Sequence, residues 1–474
     1  MILRRVLIAN RGEIALRILR TCRELGIETV LAASDADLSS VPARLADRVV
    51  RIGPPPPSAS YLDVDAVLAA ARTAGADAIH PGYGFLSENQ RLARACAEAG
   101  IVFIGPTEEQ LAAVGDKLEA RRHAIAAGIP VVPGGPLDDT ADAARLAAGI
   151  GFPLLIKAVG GGGGRGMKQV HDPATLASTI DQAVAEAGAA FGDPRVYLER
   201  FVATGRHVEV QLIADGENVV HLGTRDCSVQ RRYQKLIEEA PAPVLDSALR
   251  EEMHRAAVAL GKHLEYRGLG TVEFLVDVDR GTFYFLEMNA RIQVEHPVTE
   301  AITGLDLVAE QLAVAEGRPL SFGQADVSFT GHAIECRINA EDWAHDFQPS
   351  PGTVAEAVWP VGEGIRVDTH LQAGATVPPY YDSLLAKLIV HGRDRAEALA
   401  RLRGALTRCA VDGVTTNTPL HRTVLAEDEF AEGGVDTAWF TRFLQDHPAP
   451  GPSESAGAMA VTTSGGRVRG GSHG

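Results

Sequence analysis

Two hydrophobic periods alternate through the first hundred residues, and that alternation constrains the fold more than any other feature. VLIAN (6–10) is a short apolar run, after which Ile14, Ile18, Cys22 and Leu25 line one helical face. Gly26 ends that helix, and ETVLAAS (28–34) starts a second strand. A helix near 63–74, AIH (78–80), a helix near 88–99 and IVFIG (101–105) continue the series. Strands separated by helices lie parallel, with helices over the sheet faces. Residues 1–114 are therefore expected to form a doubly wound parallel α/β domain. Its first turn, NRGEIA, lacks GxGxxG, which disfavours a dinucleotide there.

From about residue 115 the pattern becomes α+β. A helix near 117–127 leads into a small unit, about 131–203, that carries KAVGGGGGRGM (157–167). Five consecutive glycines lose much chain entropy on ordering, so the run calls for a reason. A Walker A loop fails, because Gly166 is followed by Met167 and Lys168. Gly161, Gly163 and Gly166 match a Rossmann fingerprint formally, but PLLIKAV before them and MKQV after them are both strand-like. The next helix begins only at the cap Asp172–Pro173, so no helix N-terminus faces the loop. A flexible linker remains the alternative. Lys157 and Arg165 bracketing the run inside a tight hairpin favour a mobile lid whose bare amides close over phosphate oxygens.

Strands at 207–215 and 218–226, a helix near 246–263 and a hairpin over 271–289 with its turn at Asp279–Gly281 follow. In FLEMNARIQVEHP (285–297), Glu287, Asn289, Arg291, Gln293 and Glu295 recur at every second residue. An extended chain would put all five on one face. Glu273, on the preceding strand, can stand opposite Glu287, where two carboxylates repel unless a cation lies between them. Such oxygen ligands suit Mg²⁺ together with substrate phosphates. Beside that site the charged run RDCSVQRRYQKLIEEAP (225–241), by itself a solvated loop, reads as an anion-binding wall. Residues 331–446 mix short strands with a final helix near 394–408, and the Pro/Gly/Ser-rich tail 447–474 reads as disordered.

Composition narrows the classes. With 46% hydrophobic and 22% charged residues, and no apolar run of bilayer length, the chain reads as a soluble globular protein with no membrane partner. Its five cysteines are scattered singly, which suggests neither zinc site nor disulfide framework and fits a reducing cytoplasm. A net charge of −16 disfavours nucleic acid. The N-terminus has no signal-peptide pattern.

Seven segments occur in order: IANRGEIALRI, HPGYGFLSEN, KAVGGGGGRGM, RDCSVQRRYQK, EMNARIQVEHPVTE, ECRINAED and YYDSLLAKL. Together they resemble the biotin carboxylases, ATP-grasp ligases, over residues 2 to about 443. The resemblance implies an N-terminal pre-ATP-grasp domain (1–114), an ATP-grasp core (115–330, lid about 131–203) and a C-terminal mixed α+β domain (331–446). It implies that ATP, bicarbonate and biotin give ADP, phosphate and N-carboxybiotin. By similarity, Lys117, Lys157, Gly162, Gly163, Gly164, Glu199, His207, Gln230, Glu273 and Glu287 would hold ATP. Glu273, Glu287 and Asn289 would hold Mg²⁺ or Mn²⁺, and Lys235, Arg291, Gln293 and Val294 would position bicarbonate. Glu295 would be its base, and Arg337 would steady the biotin enolate, with Tyr83 and Glu88 near the same cleft.

Relative to the family pattern, Tyr233 replaces a common His, Arg200 a common Lys and Ala290 a common Thr. No Met-Lys-Met biotinylation site occurs, so the biotin is expected on a separate carrier protein, with carboxyltransferase subunits on further chains and a homodimer for this one. Acetyl-CoA carboxylase, and hence fatty acid biosynthesis, is the expected setting, with propionyl-CoA, pyruvate and urea-type systems open. The competing readings are a carbamoyl-phosphate-synthetase-type ligase and a non-catalytic ATP-binding scaffold.

Overall fold

The computed structural model describes residues 2–137, 140–161 and 166–448. Gly162, Gly163, Gly164 and Arg165 at the tip of the glycine loop, and the tail from 449, lie outside the described residues.

The N-terminal alternation folds into a five-stranded parallel sheet. Its strands are β1 (Arg5–Ile8), β2 (Glu28–Ser34), β3 (Arg48–Gly53), β4 (Ala78–His80) and β5 (Val102–Phe103), in the order β3-β2-β1-β4-β5. The chain changes direction between β1 and β4, and an open sheet has its crevice at such a switch point. Asn10, just past β1, ties the two sides there: its Nδ2 donates to the carbonyls of Pro81 at 2.8 Å and Tyr83 at 2.7 Å. Strand β3 lies outside the expected series, because RVVRIG sits at the exposed edge and carries no clear apolar alternation.

The lid unit is a four-stranded sheet of β6 (Gly134–Pro136), β7 (Leu154–Ala158), β8 (Met167–Val170) and β9 (Val196–Arg200), ordered β6-β9-β7-β8. β7 and β8 pair antiparallel from Leu154↔Val170 to Lys157↔Met167, so the glycine run does join two adjacent strands. Gly166 is required at its base: φ is +77°, and a Cβ would lie 2.8 Å from that of Ala158. Leu154, Ile156 and Leu198 bury one face of this sheet against Ile180 and Ala183 of the helix Leu176–Phe191.

The core is one antiparallel sheet of eight strands. β10 (Gly205–Asp215), β11 (Val219–Arg231), β12 (Gln234–Ala240), β13 (Arg267–Asp277), β14 (Thr282–Asn289) and β15 (His332–Asn339) run in the order β14-β13-β10-β11-β12-β15. Leu384–Gly392 and Ile365–Thr369 complete it beyond β15. The sheet therefore runs through residue 330: β12 pairs with β15 from Ile237↔Cys336 to Ala240↔Ala333. On one face Val208, Val210 and Leu212 pack on Met253, Ala257 and Leu260 of the helix Ser247–His263. The opposite face of β10 carries His207, Glu209 and Gln211, all buried.

Three expectations need correction. The run 225–241 is not a loop but a hairpin of β11 and β12, closed by the two-residue turn Arg232–Tyr233. Both turn residues have positive φ (47° and 67°), as the twist-compatible turn of that length requires. The extended row stops at Asn289, and a helix starts at His296, with Pro297 in its first turn, so Glu295 is reached by a bend rather than by strand alternation. Finally, the helix at Arg395–Thr407 is followed by Thr418–Val424, Asp428–Glu432 and Trp439–Asp446. Among the described residues no helix is long and apolar enough to cross a membrane.

Candidate active site

Strand register builds the site. Arg225 on β11 stands opposite Glu209 on β10, Glu209 opposite Glu273 on β13, and Glu273 opposite Glu287 on β14. One row of facing residues thus carries three acids in succession, an arrangement that like-charge repulsion forbids unless cations enter it.

Lys235 is the cation that enters. Its Nζ donates to Glu209 at 2.7 Å, Glu273 at 3.0 Å and Glu295 at 2.6 Å. Burial would lower its ammonium, but the acidic groups around it raise it well above the lysine range, so it stays charged. Arg225, wholly buried, donates to Glu209 at 2.5 Å, Gln211 at 2.7 Å and Thr299 at 2.9 Å. Burial would raise the Glu295 carboxyl, yet Lys235, Arg337 and Arg225 hold it well below the usual carboxylate range. Two triads of potential metal ligands, His207/Glu209/Glu273 and Glu209/Cys227/Glu295, fall within this cluster. Lys235 already serves the carboxylates of both, so they read as an ion-pair network.

Glu295 bridges two cations. Besides Lys235 it accepts from Arg337 at 2.9 Å, while the Arg337 Nε donates to Glu238 at 2.6 Å. The backbone carbonyl of Arg337 is gripped by Asn417 Nδ2 at 3.0 Å and His421 Nε2 at 2.8 Å. Arg291 makes a second cluster: Nε donates to Glu88 at 2.8 Å, and its terminal nitrogens reach Asn289 at 2.7 Å and Gln293 at 3.0 Å. Glu88 also accepts from the Ala290 amide at 2.9 Å. Gln293 Nε2 is buried without a partner among the described residues, a donor left for an anion. The Val294 carbonyl accepts from the buried Lys387 at 3.0 Å.

Asn289 Nδ2 donates to Glu273 at 2.9 Å, and His207 Nε2 lies 3.0 Å from the other Glu273 oxygen. Glu287, half-exposed, lies 3.6 Å from the Lys117 ammonium. Lys117 also donates to the Gly161 carbonyl at the foot of the glycine loop. Lys157 Nζ donates to Glu199 at 3.0 Å beneath the lid. Gln230 lies buried on β11 opposite Lys235. Tyr83 hydrogen-bonds Glu13, which is paired in turn with Lys387 at 3.0 Å, and the Arg337 guanidinium acts on its hydroxyl through space.

Glu209, Arg225, Glu238 and Lys387 were not singled out from sequence. Glu209 was visible in HVEVQL, where His207, Glu209 and Gln211 interrupt an apolar strand at every second position. Lys387, a lone lysine in an apolar strand, offered a similar cue without saying what it faces.

Three family models match the chain: "Biotin carboxylase, N-terminal domain" over residues 2–111, "Carbamoyl-phosphate synthase L chain, ATP binding domain" over 116–322, and "Biotin carboxylase C-terminal domain" over 335–442. A biotin carboxylase of Pseudomonas aeruginosa is 52% identical over 446 residues, covering 93% of this chain and 99% of that protein. The crystal structure of a Campylobacter jejuni biotin carboxylase–β,γ-ATP complex superposes with a TM-score of 0.90 at 44% identity, covering 93% of this chain and 99% of that one. The biotin carboxylase domain dimer of Hydrogenobacter thermophilus 2-oxoglutarate carboxylase, solved with MgADP, ADP and bicarbonate, gives 0.89 at 43% identity, covering 94% and 98%. An ATP-grasp core between a parallel α/β domain and a C-terminal extension of its sheet defines the class. The chain belongs to the biotin carboxylase family.

Proposed function

We propose that this chain carboxylates biotin carried on another polypeptide, from ATP and bicarbonate through carboxyphosphate. The observation that carries the reading is Glu295, a buried ionised carboxylate clamped between Lys235 and Arg337 beside the Glu273–Glu287 pair.

In this reading Lys117, Lys157, His207 and the glycine loop hold the ATP phosphates, with Glu199 and Gln230 supporting the nucleotide. The acids suit Mg²⁺ or Mn²⁺. Glu273 and Glu287 face each other as hard oxygen donors, Asn289 adds a third, and Glu287 has little other engagement. The metal, when bound, neutralises phosphate charge. Arg291, Lys235, Gln293 Nε2 and the Val294 backbone hold bicarbonate. Glu295 takes the bicarbonate proton; the freed oxygen attacks the γ-phosphorus and the bond to ADP breaks. Carboxyphosphate then splits into CO₂ and phosphate, phosphate accepts the ureido N–H proton, and that nitrogen bonds CO₂. Arg337 stabilises the charge on the ureido oxygen. The lid excludes water, which would hydrolyse carboxyphosphate.

A carbamoyl-phosphate-type ligase would use Lys157, Glu273 and Glu287 in the same way but has no need of the Arg337 clamp. Carrier and carboxyltransferase subunits on other chains, a homodimer, a cytoplasmic setting and acetyl-CoA as final acceptor complete the proposal. The test is bicarbonate-dependent ADP release with and without biotin, together with an avidin blot. Stimulation by free biotin and no avidin signal at the chain's own mass support it; no stimulation, or self-biotinylation, refutes it.

A further inference from the structure

Behind Arg337 stand two carboxyls that the mechanism does not use. Glu238 on β12 and Glu335 on β15 are direct cross-strand partners, and neither is exposed at all. Glu238 Oε1 accepts from Arg337 Nε at 2.6 Å. Among the described residues, its Oε2 and both oxygens of Glu335 have no hydrogen-bond partner.

Two ionised carboxylates cannot share such a place. Directly opposed like charges repel, and a buried acceptor without a donor costs its full desolvation. Among the described residues the cations near the pair are hydrogen-bonded elsewhere, and Lys387 and Arg337 act on Glu335 only through space. Lys235, on β12, is committed to Glu209, Glu273 and Glu295. Lys387, on the strand beyond β15, is committed to Glu13 and the Val294 carbonyl. Arg337, on β15 itself, divides between Glu238 and Glu295. Cys227 on β11 is a buried thiol, and burial keeps His296, at the start of the covering helix, neutral. The rest of that helix presents Val298 and Ile302 to Ala240 and Ala333. A single proton resolves the conflict, because a carboxylic acid donates where a carboxylate only accepts.

We propose that Glu335 is a protonated acid that donates to Glu238, and that this acid–carboxylate pair fixes the guanidinium of Arg337 for the biotin half-reaction. Both are positioning residues: neither touches substrate, and each acts through Arg337. Burial pushes Glu335 well above the usual range and Glu238 up to about 7, against the opposing pull of Lys387 on the first and Arg337 on both, in the same direction as the geometry. The inference rests on the role of Arg337 proposed above.

The experiment compares Glu335→Leu, Glu335→Gln and Arg337→Ala. Leu removes the donor, whereas Gln keeps an N–H directed at Glu238. Glu335→Leu should lower kcat/KM for biotin by roughly ten- to a hundredfold through misplacement of the guanidinium. Bicarbonate-dependent ADP release without biotin should stay within about threefold, because Lys235 still holds Glu295. Glu335→Gln should recover most of the biotin term. Difference infrared spectra of the wild type should contain a protonated-carboxyl band that Glu335→Gln lacks; this measurement decides the matter if the Leu variant does not fold. An unchanged kcat/KM for biotin in Glu335→Leu, a Gln variant as impaired as Leu, or no such band would overturn the pair. If Arg337→Ala itself spares biotin carboxylation, the role of Arg337 is what fails.

Discussion

Arg337→Ala tests the division of labour between the two half-reactions, and the structure sets its size. The guanidinium makes two charge-assisted hydrogen bonds, 2.6 Å to Glu238 and 2.9 Å to Glu295. Losing one preorganised oxyanion donor should slow biotin carboxylation by about 10²–10³. Glu295 keeps Lys235 at 2.6 Å, so it stays ionised, and bicarbonate-dependent ATP hydrolysis without biotin should fall less than about tenfold. Glu238 loses the guanidinium it hydrogen-bonds; it then takes up a proton, which caps a stability loss that would otherwise approach ~3–5 kcal/mol. Glu295→Gln keeps shape but removes the base, so phosphoryl transfer to bicarbonate should fall by about 10²–10⁴. Because Arg337 and Glu295 touch, the double variant should lose less than the product of the single losses, by a coupling of roughly 0.5–3 kcal/mol. The assay is ADP release from all four proteins, with and without biotin at saturating bicarbonate. If Arg337→Ala abolishes the biotin-free ATPase, if Glu295→Gln leaves it intact, or if the losses multiply exactly as for independent sites, the assignment is wrong.

Four further outcomes are expected. Gly166→Val forces a side chain into a backbone at φ +77° and against Ala158, so the KM for ATP should rise while the fold, by circular dichroism, persists. Arg225→Met strips a wholly buried partner from Glu209 and should cost about 3–5 kcal/mol in urea unfolding. A chelator in excess should abolish ADP release, and Glu287→Gln should raise the Mg²⁺ concentration needed for half-activity. Glu273 and Glu295 have carboxyls depressed below their unfolded value of 4.5, so their stabilisation is complete above that pH and is lost as pH falls through the folded values. These two acids should therefore add nothing to the pH dependence of the urea midpoint between neutrality and about pH 5, and should make it drop in more acid solution, less steeply in Glu295→Gln.

The parallel sheet was legible because helical and strand periods alternate cleanly; β3 escaped because only Val50 and Ile52 of this edge strand turn to the core, too short an alternation to read. The hairpin pairing Glu273 with Glu287 was legible from length, turn and alternation, and the register bears it out. Strand β12 was hidden because its preceding turn is Arg232–Tyr233 rather than the usual Asn-Gly or Asp-Gly, so two charged strands looked like one polar loop. Extending the polar row past Asn289 failed for a related reason. Alternation identifies a face only while the chain stays extended, and Pro297 marks a helix start two residues after Glu295. Glu295 still reaches Lys235, which local periodicity could not have told. The partners Glu209, Arg225 and Glu238 depend on cross-strand register between segments 16 to 99 residues apart, which one sequence does not encode locally.

Sheet shape explains how these groups meet. β12 and β13 are separated in the strand order by β11 and β10, three steps, or about 14 Å in a flat sheet. A lysine and a glutamate leaning toward each other across a flat surface do not close that gap, yet Lys235 and Glu273 are 3.0 Å apart. The sheet must curl toward its polar face. Register shifts lie where curling is needed: between Asp226 and Val229 and between Val229 and Gln230 on β11, between Val210 and Leu212 on β10, and between Glu273 and Phe274 on β13. Bulges bend the bulged strand and increase its twist, so these irregularities convert a row of acids on separate strands into a cup that one lysine can reach across. The cup also tightens the electrostatics. Three carboxylates converge on one ammonium where water is largely excluded, so in the proposed reaction bicarbonate competes with acids for Lys235 and Arg291, while Gln293 Nε2 has no such competitor among the described residues. Under the proposed function, bicarbonate shares those donors with Glu295, the acid proposed to take its proton.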